Sequence, residues 1–111
     1  MKELLESFNS RYDDMNDGLR QALRTGRAFT PEEEDKFVDY FNLCAEEWLF
    51  WRQGYVYEPV WRAWENGMKQ YAQDERVKTL WLEERKTSSY YGFEFPTAQT
   101  GVLTSFFAFG W

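Results

Sequence analysis

The stretch from Thr30 to Gly54, TPEEEDKFVDYFNLCAEEWLFWRQG, constrains the chain more than any other. Thr30 suits an N-cap and Pro31 suits the first helical position. Glu33, three residues after the cap, completes a capping box. Gly54 is a natural stop. Between these signals Phe37, Phe41, Cys44, Trp48 and Trp51 recur at steps of four and three, the spacing that lines one stripe of a helix. A stripe of two Phe, one Cys and two Trp has to be covered by other elements, which places this helix at the centre of the expected fold.

The neighbouring segments supply that cover. Leu5, Phe8, Tyr12, Met15, Leu19 and Leu23 hold helical spacing through residues 1–25. Asn16-Asp17-Gly18 is a turn signal, but the stripe passes through it unbroken, so one helix is expected. Pro59 starts a third helix with Val60, Trp61, Trp64, Gly67, Met68 and Tyr71 on its apolar face. A mid-face glycine costs about 1 kcal/mol of helix propensity. The close approach of another helix backbone at Gly67 is expected to offset it. Asp74 caps a short fourth helix in which Val77, Leu80 and Trp81 share a face. Short connections imply helices packed side by side, largely antiparallel. The reading is an all-α, four-helix bundle-like single domain with helices at about 2–25, 31–53, 59–73 and 75–86.

After Lys86 the composition changes. Residues 87–111 hold one charge, Glu94, and eight aromatics, among them Phe106, Phe107, Phe109 and Trp111. Pro96 and threonine-rich turns argue against a long helix. Phe107, Phe109 and Trp111 alternate as a strand would. Solvated tails are polar and charged, so this aromatic, mostly non-helical tail is expected to pack over the bundle. Pairing with a second copy of the chain is the next candidate. Membrane attachment ranks last, because it recruits basic residues and the tail has none.

The formal net charge is -6, and most of it is local. Residues 30–57 carry seven acids against Lys36 and Arg52, a balance of -5. No basic footprint for nucleic acid is present. Glu32, Glu33, Glu34 and Asp35 read first as an acidic helical turn favoured by the helix dipole. Arg20, Arg24 and Arg27 precede that turn and can pair with it. On a helical wheel Glu47 falls inside the apolar arc, between Tyr40, Leu43 and Trp51, and Arg52 falls between Phe41 and Ala45. Both are candidate buried polar groups, either paired inward or lying at the rim with their apolar stems covered.

The chemical inventory is thin. The chain has no histidine and one cysteine, which removes the commonest general base and any intrachain disulfide. Cys44 in the apolar stripe reads as a small hydrophobe. Glu46 and Glu47 are adjacent, so on a helix they point about 100° apart. A carboxylate site would need Asp39, Glu83 or Glu84 to approach Glu47. No phosphate-binding glycine loop appears. No cofactor is implied, and no nucleophile–base set suggests an enzyme.

The segments DYFNLCAEEW at 39–48, Gly54-Tyr55, Val60-Trp61 with Trp64 and Gly67-Met68, Leu80-Trp81 and Ser89-Tyr90-Tyr91-Gly92 resemble small bacterial proteins grouped only as a domain of unknown function. The resemblance spans roughly residues 36–93. Some such proteins carry membrane segments ahead of this domain, and residues 1–25 here contain none. The resemblance implies a helical fold and transfers no activity, ligand or site residue.

These features imply a non-catalytic, cytoplasmic protein of bacterial or phage origin that binds another protein. Nucleic acid and membrane are not expected as partners. Aromatics are 21 % of the chain, and such an excess is a mark of interaction surfaces. Tyr55, Tyr57, Phe109 and Trp111 are the candidate exposed rings. One alternative is a phage or mobile-element inhibitor whose acidic turn imitates nucleic-acid phosphates toward a host complex. A second is a carboxylate metal site or enzyme around Glu47.

Overall fold

The computed structural model describes residues 2–97. Four helices follow in chain order: α1 (Lys2–Arg24), α2 (Pro31–Arg52), α3 (Glu58–Tyr71) and α4 (Glu75–Glu84), with one 3-10 turn at Arg85–Thr87. The described residues contain no strand. The fold is all-α, as the apolar periodicities require, and none of these helices is long and apolar enough to cross a membrane. Phe106, Phe107, Phe109 and Trp111, and the strand-like alternation among them, lie outside the described residues.

Helix α2 starts and stops where its signals say. Glu33 N–H donates to Thr30 Oγ1 at 3.1 Å and Thr30 N–H donates to Glu33 Oε1 at 2.9 Å, closing the capping box. At the other end Gly54 adopts φ +88°. Tyr55 N–H then reaches Phe50 O and Gly54 N–H reaches Trp51 O, both at 2.9 Å. That pair of bonds is a Schellman motif, and the Phe50–Tyr55 ring contact at 6.0 Å is the apolar contact that accompanies it.

Helix α1 runs through Asn16-Asp17-Gly18 without a break. A Cβ on Gly18 would lie 3.2 Å from Lys36 Cδ, so the glycine makes room for the Lys36 stem where α1 crosses α2. Helix α2 touches α1, α3 and α4. It buries Phe37, Tyr40, Phe41, Leu43, Cys44, Ala45 and Glu47, which cover more than one side of the helix.

The beginning of the aromatic tail packs over the bundle. Left-handed residues at Ser88, Tyr91 and Gly92 turn the chain back, and Tyr90, Phe93 and Phe95 are buried. They surround Trp81 of α4, with ring centroids 5.1, 5.7 and 6.0 Å away, while Phe41 of α2 closes the cluster at 5.1 Å. Edge-to-face pairs of this kind contribute beyond their buried area.

Candidate functional site

Three helices converge on a small cleft. Asn9 and Tyr12 line it from α1, Tyr40 and Glu47 from α2, and Ala63, Trp64 and Gly67 from α3; its volume is about 140 Å³. Tyr40 and Glu47 stand seven residues apart, two helical turns, and so share a side of α2. Hydrogen bonds tie α1 to α3: Trp64 Nε1 donates to Asn9 Oδ1 at 3.3 Å, and the hydroxyls of Tyr12 and Tyr71 meet at 2.9 Å.

Gly67 corrects the sequence-based expectation. No helix backbone approaches it. A Cβ built there meets nothing within 4 Å, and the residue is exposed. With Ala63 one turn earlier, it leaves open space in an otherwise aromatic face of α3.

Glu47 is 5 % exposed, the only charged residue type in the described core. Neither expected arrangement holds for it. It does not lie at the rim, and no hydrogen bond among the described residues reaches its carboxyl oxygens. The neighbouring Glu46 takes the available guanidinium, accepting Arg11 Nη1 at 2.9 Å and Nη2 at 3.0 Å. Burial therefore dominates and pushes the Glu47 carboxyl up to about 8, against the pull of Arg11 and with a small push from Glu46. At neutral pH the group is mainly a neutral acid.

Arg52 is not buried, and of the two expected arrangements it takes the one at the rim. It is exposed at the last position of α2, and its guanidinium lies over the Trp48 ring, 5.1 Å from the centroid. The wheel placed it on an apolar side, but α2 ends there and the side chain leaves the bundle. Cys44 is fully buried, and burial pushes its thiol up, so it is a poor nucleophile near neutral pH.

The remaining candidates separate into two surfaces. Tyr55 and Tyr57 stand 59 % and 67 % exposed at the α2–α3 corner. Glu32 and Glu34 are exposed on the first turn of α2, and Asp35 is exposed just after it. Glu33 is turned into the cap and pairs with Arg27 at 2.8 Å. Phe109 and Trp111 fall outside the described residues. Asp39, Glu83 and Glu84 are not among the groups that act on Glu47. Among the described residues no three His, Cys, Asp or Glu side chains come together in a way that could hold a metal ion.

Two features have no counterpart in the sequence reading. One is the cleft itself, whose only sequence signal is the pair of small residues Ala63 and Gly67 between tryptophan and methionine. The other is Arg76, which ties α4 to the chain between α1 and α2. Comparison with protein-family models, curated proteins and solved structures finds no match for the chain.

Proposed function

We propose that the protein is non-catalytic and works by binding another protein through the corner between α2 and α3. The observation that carries this reading is the pair of open rings at Tyr55 and Tyr57. They stand on a stiff base. The Schellman motif fixes Tyr55, and Trp51 stacks on Trp61 with centroids 5.1 Å apart and planes 11° from parallel. Trp51 Nε1 donates to Glu58 Oε1 at 3.1 Å, and Glu58 in turn accepts from Arg62 Nε at 2.8 Å. Tyrosine, tryptophan and arginine are the residues that most often dominate interface energetics. A surface held rigid before binding loses less entropy on association.

The test is affinity purification of the tagged chain from its native host beside a Tyr55→Ser, Tyr57→Ser double variant. A specific partner retained by the wild type and lost by the variant is expected. A partner retained equally by both moves the interface elsewhere, and no specific partner at all overturns the function.

A further inference from the structure

We propose that the cleft between α1, α2 and α3 binds an alkylammonium group, with Glu47 as counter-ion and Tyr12, Tyr40 and Trp64 as aromatic walls. Size sets the first limit. A volume of about 140 Å³ is close to that of a cavity of roughly 150 Å³ that binds benzene. That suits a head group of a few heavy atoms.

Charge sets the second. The lining includes one acid and no Lys or Arg. Arg11, the cation that acts on Glu47 from outside the lining, is held by both oxygens of Glu46. The Glu47 carboxyl lines the cleft and accepts no hydrogen bond from the described residues, so a cation entering the cleft would find it unpaired. An anion would meet no positive side chain in this lining.

Chemistry sets the third. Aromatic rings attract organic ammonium ions through their negative faces. Hard metal ions take six or more oxygen ligands, and the lining offers one carboxylate. The open space at Gly67 fits the same reading, since the position costs helix propensity and accommodates no neighbouring backbone.

Binding has a defined proton balance. The groups around Glu47 are Arg11 and Tyr12 from α1 and Tyr40, Cys44 and Glu46 from α2; Ala63, Trp64 and Gly67 of α3 bring no titratable group. The ammonium enters as a cation, Glu47 releases its proton to solvent, and the net charge of the site is unchanged.

The test is calorimetry on the full chain with tetramethylammonium chloride, methylammonium chloride and a short peptide carrying trimethyllysine. Saturable one-to-one binding is expected, with a proton released per ligand at neutral pH, read from heats in buffers of different ionisation enthalpy. Affinity should rise with pH up to about 8 and then level. Glu47→Gln should weaken binding by about tenfold or more and abolish proton release. Gly67→Leu, which places a side chain over the open space, should weaken binding without lowering the melting temperature. Binding of the simple salts points to a free amine, and binding of the peptide alone points to a lysine side chain of a partner; either upholds the site. No saturable binding of any probe up to about 100 mM, a very weak affinity, overturns it. So does a Glu47→Gln variant that binds as the wild type does.

Discussion

Arg11 and Glu46 clasp one another across 35 residues of chain through two parallel hydrogen bonds of 2.9 and 3.0 Å. The consequence falls on the next residue. Glu47 points about 100° away from Glu46 around α2, so the guanidinium that satisfies one carboxylate leaves the other buried and neutral.

That arrangement gives stability a specific pH dependence. A carboxyl raised to about 8 in the folded chain, from 4.5, holds its proton more tightly when folded. Its contribution is fully present below about pH 4.5 and is lost as the pH rises to about 8. The slope from this group is at most about 1.4 kcal/mol per pH unit. Glu33 has the opposite shift, held down to about 2 by the Arg27 guanidinium, so its contribution is lost only as the pH falls below 4.5. The two windows do not overlap. Urea unfolding of wild type and Glu47→Gln at a series of pH values from about 4.5 to 8 should show the variant gaining on the wild type as the pH rises, with no further gain above about 8. A wild-type profile as flat as the variant's would show that Glu47 is not a buried acid.

A second prediction concerns Arg76. Its guanidinium donates to Leu23 O at 2.9 Å, Arg27 O at 2.6 Å and both oxygens of Asp74, and it covers the Phe29 ring at 4.4 Å. One side chain thus satisfies a carbonyl in the last turn of α1 and another in the linker after it, and fixes the start of α4 beside them. A lysine supplies one point charge without the planar fork. Arg76→Lys should cost about 2 kcal/mol, from hydrogen bonds to a charged donor. Chemical denaturation reads this directly, and a variant as stable as the wild type would make the tie ornamental.

The elements were legible because their ends are written in local chemistry. Thr30-Pro31-Glu33, Gly54, Pro59 and Asp74 each act through neighbouring backbone groups, and the helices begin and end within two residues of those signals or of the expected bounds. The site was less legible because it depends on which side chain takes which partner across the bundle. Periodicity placed Glu47 on an apolar arc, but only the position of α1 decides that Arg11 meets Glu46 instead. Gly67 was misread for a related reason. A mid-face glycine is equally compatible with close packing and with open space, and the choice rests on how the neighbouring helices pack, which the local sequence does not set.

Trp81 offers a third test. It is fully buried, and its Nε1 has no hydrogen-bond partner among the described residues. An unmade bond of this kind costs about 1–3 kcal/mol. Trp81→Phe removes the orphan donor and leaves a small void among Phe41, Tyr90, Phe93 and Phe95. The two effects oppose, so the variant should fall within about 1 kcal/mol of the wild type, whereas Trp81→Ala should lose about 3–5 kcal/mol. A loss for Trp81→Phe as large as that for Trp81→Ala would mean that the indole N–H is satisfied in solution.

The last prediction separates core from cover in residues 88–97. Phe95 is buried against Phe41 at 5.0 Å and against Tyr40 and Trp81 at 6.0 Å. Tyr91, four residues earlier, is 58 % exposed on a left-handed turn residue. Both are aromatic residues of one segment, so composition does not distinguish them; the turn at Tyr91-Gly92 does, by sending one ring outward and the next inward. Phe95→Ala should cost about 3–5 kcal/mol, the usual loss for a buried phenylalanine. Tyr91→Ala should stay within about 0.5 kcal/mol, as surface substitutions do. Equal and small losses would show that the segment rests on the bundle without completing its core. The Trp81 cluster would then have to be stable with Phe41 as its only ring partner from the described helices.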